Sequence, residues 1–320
     1  MTNQNTDMHH AKGTVMGGPW QLYHMPVAGI CCDDVATAAL GALQQVDAQM
    51  STYRADSDVM RVNAGPLGAF LSIPAEMHTV MACADRYARA SDGAINVGLG
   101  KLVNRWGFGP DAAPDTRPDA QETYAEAARA ALGSFALRAD PPAVLKHADV
   151  ALDLCALAKG FAVDKAAQAV RSLGITNFLI EASGEIIGCG CGPDDTPWTV
   201  GVELPVPGND RIVFDEICLN NMAVATTGGH RNRRRIGGHD VSHTINPITG
   251  APLEGDLLSV TVLHAACMDA DALATVLYVL GADRGPQFAD DNHIAALFLI
   301  REPEGLREIR SEAFVATTRR

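Results

Sequence analysis

The chain has 320 residues, 47% of them apolar and 20% charged, which is ordinary for a globular protein with a large core. Its 25 Lys and Arg face 38 Asp and Glu, and the net charge of −13 argues against a general nucleic-acid binder, which needs a basic face. No apolar run reaches about 18 residues and the first residues hold no signal-peptide core, so neither a transmembrane segment nor export is expected and the chain reads as cytoplasmic.

Residues 1–12 are polar and read as a disordered tail, leaving 13–320 as a single domain. An early strand, broken by Gly-Gly-Pro, begins at Gly13. Residues 33–49 form a helix, with Val35, Leu40, Leu43 and Val46 as its apolar stripe after an acidic first turn. The segment 50–63, MSTYRADSDVMRVN, reads as a polar turn, and 76–91 as a second amphipathic helix stopped by Asp92-Gly93. Residues 94–109 are glycine-rich and either wrap a ligand or join a strand to a short helix. Residues 110–123 carry three prolines and form a surface connection, followed by a short helix over 124–132.

Residues 150–154 alternate apolar and polar, the period of a strand. From Ala156 the apolar spacing changes to three and four, and a helix runs to Gly174. A strand-to-helix junction gathers free N–H groups and the positive end of the helix dipole at one spot. This one also carries Asp153, Lys159 and Gly160, which suits an anionic ligand and an accompanying metal. The plainer alternative makes Asp153 a helix cap and Lys159 a solvated side chain.

A hairpin is expected over 177–190 with Ser183-Gly184 at its turn. Strands follow over 198–204, 211–219 and 223–230, the last running into Thr226-Thr227-Gly228-Gly229-His230, either a phosphate or flavin cradle or a plain turn. A basic patch follows at 231–235. The strand 241–245 ends in the turn chemistry of Asn246-Pro247 and Thr249-Gly250, which places His243 rigidly near the surface as a general base or phosphate donor.

After a strand over 258–264, residues 269–280 form the clearest helix, with Asp269 as its N-cap and Gly281 as its stop. Asp271 and Thr275 lie four apart on one face among apolar neighbours, and two hard oxygens there point to a magnesium site. Asp271 as a first-turn acid that merely benefits from the dipole is the alternative. Strands over 294–300 and 312–317 close the chain, and the mixture reads as α+β. The eight cysteines include no CxxC pair and read as reduced core thiols. Neither a GxGxxG fingerprint nor a P-loop occurs.

Taken together, MSTYRADSDVMRVN, DGAINVGLGKLVNRWGFGP, LDLCALAKGFAVDKAA, TTGGHRN, SHTINPITGAP and MDADALAT resemble, in the same order, the blocks of the FAD:protein FMN transferase (ApbE) family. The resemblance runs from about Met16 to the last strand. It implies a tunnelling-fold-like α+β architecture with FAD in a cleft, and transfer of FMN from FAD to a Ser or Thr hydroxyl of an acceptor flavoprotein, with Mg2+ and release of AMP. It further implies flavin contacts at Met16, Tyr53, Ala94, Ile95, Asn96, Asp153, Lys159 and Ile245, and metal contacts at the Ala156 carbonyl, Asp271 and Thr275. His243 is then the natural base, beside Asp271 as the other catalytic residue. Asn96 and Asn246 stand where the family usually has aspartate, and most members are exported, so a chain without a leader is a cytoplasmic variant or a trimmed periplasmic one. An FAD pyrophosphatase and a non-catalytic flavin-binding protein are the rival readings.

Overall fold

The computed structural model describes residues 8–205, 212–229 and 232–318. Fifteen strands and eight α-helices follow one another in these stretches. The spine is an open, wholly antiparallel eight-stranded sheet. In spatial order its strands are β1 (His9–Val15), β2 (Gly18–His24), β6 (Phe178–Ala182), β7 (Glu185–Cys189), β10 (Met222–Gly228), β13 (Leu257–His264), β14 (Ala295–Glu302) and β15 (Gly305–Arg310).

Both faces of this sheet are covered, so its central strands are mainly apolar while still sorting residues by parity. In β14, Ala296, Phe298 and Ile300 enter the core beneath α7 (Cys267–Asp291). The intervening Ala295, Leu297 and Leu299 pack on the other face with Trp198, Ile217 and Phe314. Those last residues belong to the hairpin β8 (Trp198–Glu203) and β9 (Val213–Leu219), and to α8 (Glu312–Thr318). On the helical face, α6 (Cys155–Ser172) lies between α7 and α1 (Cys32–Met50), and α3 (Ala75–Ala90) packs beside them.

A small sheet of β3 (Phe70–Ser72), β5 (Ala143–Lys146) and β4 (Phe135–Arg138) sits apart, and β11 (Arg233–Ile236) pairs with β12 (His239–Ser242) in a separate hairpin. The α+β expectation holds. All eight cysteines are free, and among the described residues no helix is long and apolar enough to cross a membrane.

Several local expectations give way. The first strand begins at His9, inside the stretch read as a tail, because its pairing with β2 continues to His24. The tail expectation for residues 1–7, and those for Arg211, His230 and Arg231, lie outside the described residues. The polar turn over 50–63 contains α2 (Asp58–Ala64), whose N-cap Ser57 accepts from the Met60 N–H at 3.2 Å. Residues 150–154 make only a parallel bridge, Ala151 to Leu99, rather than a strand. Residues 312–317 are helical because Ser311 and Asp290 take the free N–H groups of Phe314 and Glu312. The N-cap of α7 is Ala266, not Asp269, which instead accepts from Tyr87 Oη at 2.6 Å and pairs with Arg86.

Candidate active site

The junction before α6 is built by two chain segments running side by side. Gly100 N donates to Ala151 O at 2.9 Å and Asp153 N to Val97 O at 2.8 Å, which sets 151–153 against the glycine-rich loop. Asp153 Oδ1 accepts from Cys155 N at 2.9 Å, the first N–H of α6, although the N-cap position itself is Leu154, and Asp153 also lines the cavity beyond. Asn96 holds the loop itself, donating to Ala130 O at 2.7 Å and accepting from Gly98 N at 2.8 Å. An aspartate there could not supply the first of these bonds, which gives Asn96 a structural reason. Asn246 similarly closes its turn by accepting from Ile248 N at 2.8 Å and Thr249 N at 3.2 Å.

The helices α6 and α7 meet at Gly160. Its N–H donates to Asp271 Oδ2 at 3.1 Å. Asp164, one turn further along α6, receives the N–H groups of Cys267 at 2.8 Å and Met268 at 2.9 Å, satisfying the open end of α7. Asp271 thereby becomes a nearly inaccessible carboxylate at the cavity wall, 4% exposed. Burial pushes its carboxyl up to about 8, with the nearby Lys159 charge opposing and Glu185 reinforcing the shift. Thr275, one turn on, stands 3.4 Å from Thr227 Oγ1 on β10.

Lys159 pairs with Glu185 at the start of β7. Burial acts against the Lys159 charge, but the Glu185 and Asp271 carboxylates outweigh it and raise the ammonium above its ordinary value. Glu185 retains an enclosed Oε2 with no partner among the described residues, as does Ser183 Oγ on the adjoining turn. His243 is held by its backbone N–H to Asn232 O at 3.2 Å, and its enclosed Nδ1 has no partner among the described residues. Burial pushes its imidazole down to about 4, aided by the Lys159 charge, while the Asn232 bond opposes. The sequence reading places His243 near the surface; it is instead half-buried at the cavity wall.

One cavity of about 950 Å3 receives Tyr53, Ala94, Ile95, Asn96, Asp153, Ala156, Lys159, His243, Ile245, Asp271 and Thr275. Of the flavin, metal and catalytic residues that the family resemblance implies, Met16 alone is absent from its lining. It occupies the β1–β2 turn at φ +53°, beside the Ser183-Gly184 turn, where Ser183 N donates to Pro19 O at 2.9 Å. The cavity also recruits Glu185, Glu181, Phe108, Tyr23 and Trp198, none of which was singled out in the sequence as a site residue. Glu185 offers no local signal, since a carboxylate opening a strand is ordinarily exposed; it is buried here because Lys159 pairs with it. Phe108 is fixed because Tyr53 Oη donates to its carbonyl at 2.7 Å.

The chain matches the family model described as the ApbE family over residues 16–298. It belongs to the ApbE family. It is 36% identical to a FAD:protein FMN transferase of Vibrio cholerae, over 95% of this chain and 91% of that protein, and 35% identical to one of Haemophilus influenzae, over 98% and 93%. Among solved structures, the flavin transferase ApbE from Vibrio cholerae superposes with a TM-score of 0.88 at 33% identity, covering 97% of this chain and 99% of that one. The apo flavinyl transferase ApbE of Pseudomonas stutzeri gives 0.89 at 32%, covering 99% of each. The ApbE fold thus extends across the whole α+β arrangement.

A magnesium ion fits the donor chemistry present. Among the described residues no three His, Cys, Asp or Glu side chains cluster as a metal site, so an all-protein cage is not on offer. Magnesium does not need one, since it keeps waters and takes one or two carboxylates plus substrate phosphates. Asp271, Thr275 and Ala156 line the same cavity, and their carboxylate, hydroxyl and carbonyl are the hard oxygens that magnesium takes.

Proposed function

We propose that the protein transfers FMN from FAD to a Ser or Thr hydroxyl of an acceptor protein and releases AMP, as a member of its family would. The observation that carries this reading is the convergence of Asp153, Ala156, Lys159, His243, Asp271 and Thr275, from three separate chain segments, on one cavity large enough for a dinucleotide. In this reading Tyr53, Ala94, Ile95, Asn96 and Ile245 hold the flavin side, and Met16 supports the site from the neighbouring turn.

Phosphoryl transfer asks the protein for alignment and charge compensation rather than covalent chemistry. Asp271, Thr275 and the Ala156 carbonyl would hold magnesium, which when bound neutralises charge on the pyrophosphate. Lys159, kept protonated by Glu185, adds a fixed positive charge at the cavity wall. The acceptor oxygen forms a bond to the FMN-side phosphorus while the pyrophosphate P–O bond breaks and AMP leaves. The hydroxyl proton passes to the His243 imidazole, which burial keeps neutral so that one ring nitrogen is free to take it.

The test is incubation with FAD, magnesium and a Thr-containing acceptor, following the acceptor's mass. Covalent FMN on the acceptor with stoichiometric AMP is the expected result. AMP and free FMN with an unmodified acceptor would make the protein a pyrophosphatase, and tight FAD without turnover would make it a flavin-binding protein.

A further inference from the structure

The β11–β12 hairpin sets Arg233, Arg234 and Arg235 in a row on a chain whose net charge is −13. Arg233 is engaged by backbone, donating to the Gly229 and Asp240 carbonyls at 3.2 Å each. Arg234 and Arg235 are exposed, and among the described residues no carboxylate pairs with either. Asp240 stands opposite Arg235 in the ladder, yet no ion pair joins them. The Arg234 guanidinium lies 5.9 Å from the centroid of Phe108, a wall of the cavity. The same hairpin runs directly into His243, whose N–H is tied to Asn232 just before Arg233. Arg234 therefore stands beside the cavity wall with no carboxylate partner among the described residues, and Arg235 is its exposed neighbour on the hairpin that leads into the proposed base.

These cations are poorly placed for the dinucleotide phosphates, which the proposed reading assigns to the Lys159 and Asp271 region. Phe108, however, stands 6.3 Å, centroid to centroid, from the His243 imidazole, so Arg234 lies one ring away from the proposed base. An acidic enzyme repels an acidic partner everywhere except at a local basic patch, which orients the encounter as well as accelerating it.

We propose that Arg234 and Arg235 dock an acidic segment of the acceptor protein around the hydroxyl that receives the flavin; this rests on the transfer activity proposed above. Specificity for the acceptor is then partly electrostatic, and separable from recognition of FAD.

The probes are two synthetic peptides with the same central Thr-containing sequence, one flanked by Asp and Glu and the other by Asn and Gln. With wild-type protein, FAD and magnesium at low ionic strength, kcat/KM for flavin incorporation should favour the acidic peptide by about tenfold or more. The preference should collapse at about 0.5 M NaCl, where screening shortens the reach of charge to a few Å. Arg234→Glu/Arg235→Glu should lose or invert the preference, and the neutral pair Arg234→Gln/Arg235→Gln should level it. FAD affinity, read by flavin fluorescence, should be unchanged in both, which also reports an intact fold.

Equal labelling of the two peptides by the wild type overturns the docking role alone. Weakened FAD binding with the peptide preference intact reassigns the arginines to the dinucleotide. A mass in solution that halves on substitution assigns them to a second copy of this acidic chain. Cleavage of FAD with neither peptide labelled removes the transfer reading and the docking role with it.

Discussion

Asp271 Oδ2 accepts a hydrogen bond from the backbone N–H of Gly160 at 3.1 Å, and this contact joins the two helices that carry the proposed metal and phosphate groups. It exists because residue 160 has no side chain. A Cβ at Gly160 would stand 2.7 Å from the Cys267 carbonyl carbon and 2.8 Å from Met268 Cα, both backbone atoms that cannot rotate away.

Gly160→Ala should therefore push α6 and α7 apart and move Asp271 relative to Lys159. We expect a loss of about 1–3 kcal/mol in stability by denaturant titration, the usual range for overpacking. Transfer activity should fall by far more than stability alone explains. Wild-type kinetics in the variant would mean that helix spacing does not set the site.

Asp271→Ala should abolish turnover while the fold survives, because it removes the only charged member of the proposed magnesium donors. Isothermal titration should find magnesium affinity in the presence of FAD reduced at least tenfold. Near wild-type rate in excess magnesium would demote Asp271 to a helix-packing acid.

Lys159→Ala leaves Glu185, whose side chain is 3% exposed, as a buried carboxylate without its counter-ion. Removing one partner of such a pair costs on the order of 3–5 kcal/mol. The double variant Lys159→Ala/Glu185→Gln should recover most of that stability but not FAD affinity or rate. Lys159→Arg should restore only part of the activity, since a planar guanidinium does not replace a compact ammonium. Full recovery of FAD binding in the double variant would limit Lys159 to an ion-pair role.

Much of the fold was legible because its signals are local. The spacing of Val35, Leu43 and Val46 specified α1, and Ser183-Gly184, with φ of +57° and +106°, specified the β6–β7 turn. The α2 helix was hidden by its length of 7 residues and by the polar residues that open it, since Ser57 and Asp58 read equally as a turn and as an N-terminus. The β3–β5–β4 sheet escaped because strands of three or four residues are too short to show a period. In the site, Asp271 and Thr275 were visible as one helical face. Glu185 and Phe108 were not, because their roles arise from long-range pairing, to Lys159 and to Tyr53, that no sequence window contains.

The imidazole of His243 makes the sharpest prediction in pH. An unperturbed histidine titrates near ~6.5, but burial first and the Lys159 charge second push His243 down to about 4. The folded protein thus binds this proton later than the unfolded chain does as pH falls. The stability it confers is complete above ~6.5 and is lost as pH drops through that value toward about 4. Thermal melts should show wild type losing stability over this window, and His243→Ala should lose less. For catalysis, transfer at saturating FAD should rise with pH along a limb that starts near 4 rather than near 6.5. Bound phosphate, being anionic, should move that limb upward. His243→Ala should lower transfer about 10²–10⁴-fold with FAD affinity little changed, and should erase the limb. The deciding measurement is the rate against pH for both proteins: a limb that persists in His243→Ala assigns proton acceptance to a carboxylate, and His243 then serves only to shape the strand end after Ser242.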